Sequence, residues 1–269
     1  MKVAILGAGG FIGSYLCKKF EKTSHTVLPV YRETVDLLSY RAVDAWLTAN
    51  KPDVIINCAI SGGGKNVNDI NYTHVQNDLQ IFLNFFNNLQ TPRYINLGSG
   101  AEFNRLTSIH LAKERDILES RPLDSYSFTK NTISRMVLNR ENFYTLRLFG
   151  CFDSTEPANR LIKKFSINRR VTIDDRWFDY ISASDFFKIV CFYVENEILL
   201  KDINCVYTKK QTLSNVLTKF AELRHELCSM NIKSLSNLSY TGDGSRLQSL
   251  GIQLDGLEEG LKEYLWEKR

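Results

Sequence analysis

The sequence predicts an α/β fold: a doubly wound parallel sheet with a small, partly interleaved C-terminal substrate-binding domain. Three observations point there. Short apolar runs alternate with helix-period segments through the first 150 residues, a glycine-rich turn follows the first run, and after Gly150 the alternation loosens. Short buried strands separated by helices imply βαβ units and a parallel sheet, and such crossovers are nearly always right-handed.

In order, Val3–Leu6 reads as the first strand and Phe11–Phe20 as the first helix. His25–Val30 is the second strand. Ser39–Ala49 is a helix with Ser39 as N-cap, because its hydroxyl can accept an orphan amide. Val54–Cys58 is a buried strand, Ile70–Leu89 a long helix, Arg93–Leu97 a strand, Ser127–Arg140 a helix and Phe143–Leu148 a further strand. Beyond Gly150, Pro157–Phe165 reads as a helix, Trp177–Ile181 and Asn204–Tyr207 as strands, and Leu213–Met230 and Leu257–Lys268 as helices. We therefore expect residues 1–150 to form the dinucleotide-binding part. Residues 151–269 form mainly the substrate-binding part, with a segment near 171–195 returning to the large sheet.

Composition narrows the function. A chain of 269 residues can bury a full core without staples. Thirty-four Lys and Arg against 30 Asp and Glu leave +4, too small an excess to argue for a nucleic-acid polymer or a membrane surface as partner. Six scattered cysteines and four histidines lack metal-ligand spacing, so no metal site is expected. Met1-Lys2 runs directly into a strand, and no apolar run approaches roughly 18 residues, so a cytoplasmic protein with free thiols is expected.

The first βα turn reads Gly7-Ala-Gly-Gly10-Phe-Ile-Gly13. Gly7 makes a tight turn, Gly10 lets the backbone approach a pyrophosphate, and Gly13 lets the helix sit against the strand. The amides of Phe11 and Ile12 open a helix whose dipole favours the phosphates. Three glycines alone are a weak signal, but the strand before and the helix after supply the context of a Rossmann dinucleotide site. The second strand ends Val30-Tyr31-Arg32-Glu33, where the adenosine ribose would lie. Arg32 suits a 2′-phosphate, so NADP(H) is preferred over NAD(H), with Glu33 blurring the choice.

Tyr126-Ser-Phe-Thr-Lys130 opens a helix, and residues four apart share a face. An ammonium beside a phenol favours the phenolate, so the pair can exchange a proton with a sugar hydroxyl or carbonyl. Ser99, after the strand Arg93–Leu97, can hydrogen-bond the same oxygen. Taken singly, the Tyr and Lys could be a surface helix pair; with the glycine turn and Ser99 they read as a constellation.

At this point the sequence resembles the extended short-chain dehydrogenase/reductases, the NAD-dependent epimerase/dehydratase family, over nearly the whole chain. The resemblance rests on Gly7-x-x-Gly10-x-x-Gly13, Asp36-Leu-Leu, Lys51-Pro-Asp-Val-Ile-Ile-Asn-Cys-Ala59, Asn77, Ser99 and Tyr126-x-x-x-Lys130. It continues through Leu146-Arg-Leu-Phe-Gly150, Arg176-Trp-Phe-Asp-Tyr-Ile181, Asp185, Leu250-Gly251, Leu257-Glu-Glu-Gly-Leu261 and Trp266. It implies that Asp36 contacts adenine, that Ala59 lines the dinucleotide, and that Asn77 and Lys130 support the nicotinamide side. It implies that Ser99, Tyr126 and Lys130 are catalytic. It also implies that Ser99 and Gly100 meet the substrate, whose diphosphate is held by Asn159 and Arg176. The substrate class is a nucleotide-activated sugar, as in surface-polysaccharide synthesis, and the assembly a homodimer through the helices around Ile70–Leu89 and Tyr126–Leu138.

The subtype residues separate the chemistries. The 4,6-dehydratases of the family carry Thr-Asp-Glu where this chain reads Ser99-Gly100-Ala101, and Glu102 stands one position late. The GDP-fucose synthase subgroup looks nearest, through Ala59-Ile-Ser-Gly-Gly63 and Leu97-Gly-Ser99. It needs a cysteine and a histidine where this chain has Ala101 and Phe152, and the neighbouring Cys151 reads as a buried thiol. What remains is reduction of a 4-keto-6-deoxy nucleotide sugar, with a 4-epimerase holding NAD tightly, or a non-catalytic dinucleotide-binding regulator, as alternatives. Gly62-Gly-Gly-Lys65 lacks the flanking residues of a phosphate loop and reads as a loop beside the sugar pocket. His74 reads as structural, and Lys163-Lys164 and Arg169-Arg170 as solvated.

Overall fold

A computed structural model describes residues 1–61, 71–197, 199–226 and 228–266. Gly62–Lys65, and Ile70 at the expected start of the long helix, lie outside them, as do Lys268 and the expected end of the last helix. Along the chain come β1 (Lys2–Leu6), α1 (Phe11–Phe20), β2 (Thr26–Val30), α2 (Tyr40–Asn50), β3 (Val54–Asn57), α3 (Tyr72–Phe86) and β4 (Arg93–Ser99). A 3-10 turn, Gly100–Phe103, leads to β5 (Ile109–Ala112), α4 (Ser125–Val137), β6 (Phe143–Leu148), β7 (Cys151–Phe152), α5 (Leu161–Asn168), β8 (Arg170–Phe178), β9 (Ile181–Ser182) and α6 (Ala183–Glu195). Then follow β10 (Asp202–Cys205), α7 (Leu213–Arg224), β11 (Ser229–Gly242), α8 (Ser245–Ser249) and α9 (Leu257–Trp266). No helix among the described residues is long and apolar enough to cross a membrane.

The chain divides into two compact units. The first holds Met1–Leu106, Arg115–Arg147 and Asn196–Asp202; the second holds Thr107–Glu114, Leu148–Glu195 and Ile203–Arg269. A six-stranded sheet runs in the order β10-β6-β4-β3-β1-β2. Its pairs β1–β2, β1–β3 and β3–β4 are parallel, and β1, β3 and β4 are almost wholly buried, as strands covered on both faces must be. Helix caps fall where side chains can accept amides: Ser39 from Ala42, Asn71 from His74, and Asp124 from Ser127.

The first unit's core joins Leu6, Val30, Ile55, Phe82, Phe85, Tyr94, Ile133, Val137 and Phe143. Tyr94 stacks on Phe143 at 4.7 Å, and Phe82 meets both edge-on. A charged group lies in the same unit. Arg147, at the end of β6, is wholly buried; its Nε donates to Glu102 at 2.7 Å, its Nη2 meets Asp202 at 3.4 Å, and its guanidinium covers the Phe103 ring.

The second unit's core joins Phe152, Ile162, Phe165, Leu217, Phe220, Leu261 and Tyr264. Its three-stranded sheet runs β5-β11-β8, and β7 pairs with β9. The segment 171–195, expected in the large sheet, lies here instead, as β8, β9 and α6. In β8 exposed Arg170, Thr172 and Asp174 alternate with buried Ile173 and Asp175, the period of a strand with one face in water. The strand beside β6 is β10.

Several helices have other bounds than periodicity predicts; among them Pro157–Phe165 is found as Leu161–Asn168, and Ser127–Arg140 as Ser125–Val137. The Leu213–Met230 helix ends at Arg224, where His225 turns left-handed with φ of 53°, and Ser229 and Met230 already pair in β11 with Arg170 and Val171 of β8. The helix expected from Pro157 starts at Leu161, after a turn closed by Arg160 N–H on Pro157 O. The Ile70–Leu89 helix stops at Phe86.

Two predictions follow from the buried charges. Arg147→Met leaves the Glu102 and Asp202 carboxylates without this cation; it should destabilise the fold by about 3–5 kcal/mol in urea denaturation, and a loss below about 1 kcal/mol would contradict the role given to this pair. In the second unit, burial is the largest influence on Glu156 and pushes its carboxyl up to about 7, against the opposing pull of Arg160, whose Nε lies 3.0 Å away. The folded state therefore holds this proton more tightly than the unfolded chain, and stability declines as pH rises from the ordinary carboxyl range through about 7. Urea denaturation at about pH 5 and about pH 8 should show Glu156→Gln losing on the order of 2 kcal/mol less than wild type across that interval. Equal slopes would refute it.

Candidate active site

The glycine turn makes two close backbone contacts where no side chain fits. Gly7 has φ of 73°, and a Cβ there would lie 2.8 Å from the backbone of Ala59; a Cβ on Gly13 would lie 2.2 Å from the Gly7 carbonyl oxygen. Gly7 thus lets β1 pass against the end of β3, and Gly13 seats α1 on the turn. Gly10, the N-cap of α1, offers no side-chain cap, so the helix begins without an internal acceptor over its first amides.

Beside this turn lies a cavity of about 890 Å³, lined by Gly7, Gly9, Gly10, Tyr31, Arg32, Glu33, Asp36, Leu37, Cys58, Ala59, Ile60, Ser61, His74 and Asn77, among others, all in the first unit. Seven of the residues expected to meet the cofactor, Gly7, Gly10, Tyr31, Arg32, Asp36, Ala59 and Asn77, thus meet around one space. Phe11, Ile12 and Gly13 form the first turn of α1. The volume is that of a ligand cleft, and a wall closed to side chains at Gly7, an uncapped helix start and an exposed arginine fit a dinucleotide diphosphate with a further phosphate. Asp36 Oδ1 accepts the Leu38 amide at 3.0 Å, which fixes its carboxylate at the wall. His74 also lines this cavity, a position that its sequence context did not reveal.

Ser99 closes β4 and caps the 3-10 turn. Its Oγ accepts the Ala101 N–H at 3.2 Å, while Glu102 Oε1 accepts the Ser99 N–H at 2.7 Å. This reciprocal capping box fixes the serine. With Oγ accepting from the backbone, its O–H remains available as a donor. Both Glu102 oxygens are engaged, one by Ser99 and one by Arg147, and the side chain is wholly buried. The glutamate one position late is therefore a structural group, with both oxygens engaged and its side chain closed to substrate by burial. Gly100 and Ala101, the first residues of the turn, are buried.

The helix α4 packs on β4 and on this turn. Lys130 is buried and donates from Nζ to the Leu97 carbonyl at 2.8 Å, which leaves two of its three donors. Asn131 ties α4 to the Glu102 carbonyl at 2.9 Å. Tyr126, half-buried, sits in the first turn of α4, whose cap Asp124 also holds Arg105 through Nη2 at 2.7 Å and Nε at 3.2 Å. Sequence reading overlooked Arg105 and Asp124; Asp124 directly before a helix start was the available signal.

Asn159 and Arg176 lie in the second unit. Asn159 is exposed ahead of α5, and Arg176 is on β8 with its Nε buried and without a hydrogen-bond partner. Cys151 is buried, and burial pushes its thiol up to about 12, so it is no proton carrier near neutrality. Lys163 does not stand free in solvent: it donates to the Ser154 carbonyl. Among the described residues no group of His, Cys, Asp and Glu could hold a metal.

Comparison with solved structures finds a GDP-mannoheptose C4 reductase from Campylobacter jejuni with NADP bound, at 19% identity and a TM-score of 0.83, covering 100% of this chain and 98% of that one. A dTDP-4-dehydrorhamnose reductase from Clostridium acetobutylicum is similar at 16% identity and 0.81, covering 100% and 99%. A UDP-glucose 4-epimerase from Thermotoga maritima is similar at 14% identity and 0.81, covering 100% and 99%. At these identities the likeness carries the fold. A search of curated proteins finds no match. The model of one family does match, over residues 3–205 and thus across every element of the cavity and the Ser, Tyr and Lys positions, and so the chain belongs to the NAD dependent epimerase/dehydratase family.

Proposed function

We propose that this protein reduces a 4-keto-6-deoxy nucleotide sugar to the 4-hydroxy sugar with NADPH. The observation that carries this reading is the state of Ser99 and Glu102. The serine offers a proton to a carbonyl oxygen, while the nearby carboxylate is consumed by Arg147 and the Ser99 amide. Such a site polarises a ketone but does not take a proton from carbon, as dehydration or epimerisation at C3 and C5 requires. Ala101 and Phe152 add no base.

A nicotinamide dinucleotide, when bound in the cavity of about 890 Å³, would supply the hydride. Gly7, Gly10 and the amides of Phe11 and Ile12 bind its diphosphate, Gly13 keeps the helix close, and Tyr31, Arg32 and Asp36 hold the adenosine side, with Arg32 suited to a 2′-phosphate. Ala59 lines the dinucleotide, and Asn77 and Lys130 hold the nicotinamide side. Ser99 donates to the keto oxygen, Tyr126 gives its phenolic proton to that oxygen as charge develops there, and Lys130 keeps positive charge beside the tyrosine. Gly100 keeps the approach to Ser99 open, and Asn159 and Arg176 hold the substrate diphosphate, for which the unpartnered Arg176 Nε is suited. The similar fold of an NADP-bound C4 reductase supports this reading. The similar fold of a 4-epimerase keeps a second one, 4-epimerisation with retained NAD, because that reaction uses the same Ser, Tyr and Lys. A homodimer through α3 and α4 belongs to the proposal.

The test is NADPH oxidation with a panel of GDP-, dTDP-, CDP- and UDP-linked 4-keto-6-deoxy sugars. Turnover with one of them, reduced about 100-fold or more in Tyr126→Phe with dinucleotide binding retained, is the expected outcome. Unchanged turnover in Tyr126→Phe would refute the mechanism. Tight dinucleotide binding without turnover on any sugar would instead favour the regulator.

A further inference from the structure

We propose that Arg105 is a positioning residue for Tyr126, which sets the tyrosine's orientation and stabilises the charge left on its ring after proton transfer. The proposal rests on Tyr126 being the proton donor of the reading above. Arg105 follows the turn that begins at Ser99, and its guanidinium carbon lies 5.4 Å from the centre of the Tyr126 ring. A cation over an aromatic face is attracted by the ring, and more strongly once that ring carries negative charge.

The guanidinium is held in place by a fork. Nη2 and Nε bind the two oxygens of Asp124 at 2.7 and 3.2 Å, with the arginine side chain 15% and the aspartate 1% exposed. The same carboxylate accepts the Ser127 amide as the cap of α4. One salt bridge therefore ties the loop that carries Ser99 to the helix that carries Tyr126, the two groups that must meet one substrate oxygen. It also lays a fixed cation on the phenol.

The other charged or titratable groups on the elements packed around α4 are placed differently. Lys130 on the helix binds the Leu97 carbonyl and Arg135 the Ile117 and Leu118 carbonyls, Glu102 on the turn pairs with Arg147, Asp78 on α3 accepts the Ser61 amide, His74 on α3 lines the dinucleotide cavity, Tyr72 at the start of α3 is exposed, and Arg93 and buried Tyr94 lie on β4. Asp124 offsets part of the Arg105 charge, yet both of its oxygens are occupied on the arginine side and at the cap. When Tyr126 gives its proton to the substrate oxygen, the O–H bond breaks and its electron pair stays on the phenolate oxygen. Arg105 faces the ring that holds this charge.

The test needs no substrate. Absorbance at about 295 nm is followed through an alkaline titration, and the trace of the matching Tyr126→Phe chain is subtracted so that only Tyr126 is read. Arg105→Met leaves Asp124 buried without its partner, so it is combined with Asp124→Asn, which keeps the cap acceptor; Asp124→Asn alone and Arg105→Lys are the comparisons. Retained NADPH binding certifies the fold of each. The expected result is a Tyr126 ionisation midpoint about one pH unit higher in the Arg105→Met, Asp124→Asn chain than in Asp124→Asn alone, with Arg105→Lys close to wild type. Midpoints that agree within about 0.2 pH units between those two chains overturn the proposal. If wild type turns over, kcat should fall about tenfold in the double variant with KM little changed, and Arg105→Lys should recover most of it; a fall that Arg105→Lys does not recover overturns it as well. A midpoint shift in a protein that reduces none of the sugars upholds Arg105 and refutes the reductase.

Discussion

The Glu102 carboxylate is the interaction on which the candidate site depends. One oxygen holds the Ser99 amide and the other holds the buried Arg147. Two demands meet in it. The end of β4 needs an acceptor for an amide that the sheet no longer pairs, and the end of β6 buries a guanidinium that needs a carboxylate. One side chain satisfies both, which is why it can be wholly buried without the penalty of an unpaired charge. The Ser99 O–H stays available as a donor, and the carboxylate beside it is engaged through both oxygens. The chemistry proposed for such a site is polarisation of a carbonyl rather than removal of a proton from carbon.

Around this point the first unit separates two tasks. The ends of β1, β2 and β3 make the dinucleotide cavity, with glycine where backbones approach too closely for any Cβ. The end of β4 and the first turns of α4 carry Ser99, Tyr126 and Lys130, the groups proposed to act on the substrate oxygen. The tasks are joined through α4, where the Lys130 ammonium is anchored on the Leu97 carbonyl, just before Ser99. Strand order places both sets at carboxyl ends of parallel strands, where a doubly wound sheet opens its crevice.

Much of the first unit was legible in the sequence, because its signals are local. Val3–Leu6 and Val54–Cys58 are apolar runs of the kind that only a doubly covered strand needs, and Ser39 marks a cap that the structure realises on Ala42. The second unit was less legible because its signals are tertiary. Nothing in Ser229–Gly242 distinguishes a strand until β8 is available to pair with it, and the helix pattern from Leu213 runs past its end because His225 takes a left-handed backbone without being glycine. The displacement of 171–195 from the large sheet has the same origin: Trp177–Ile181 looks apolar, but the Arg170–Asp174 stretch before it alternates with solvent. Within the site, the residue types of Ser99, Tyr126 and Lys130 were readable from spacing. That Glu102 is locked and Arg105 lies over Tyr126 was not, since these contacts join residues 45 positions apart for Glu102 and Arg147 and 21 apart for Arg105 and Tyr126, separations that leave no periodic trace.

The account's central claim is that a single hydride passes to the sugar and stays there. It is tested most directly by following deuterium from NADPH labelled at the nicotinamide C4 into the product by mass spectrometry. The account predicts one deuterium at the sugar C4 and one NADPH consumed per product. Formation of the C4 epimer with no net consumption of dinucleotide and no deuterium in the sugar would contradict it.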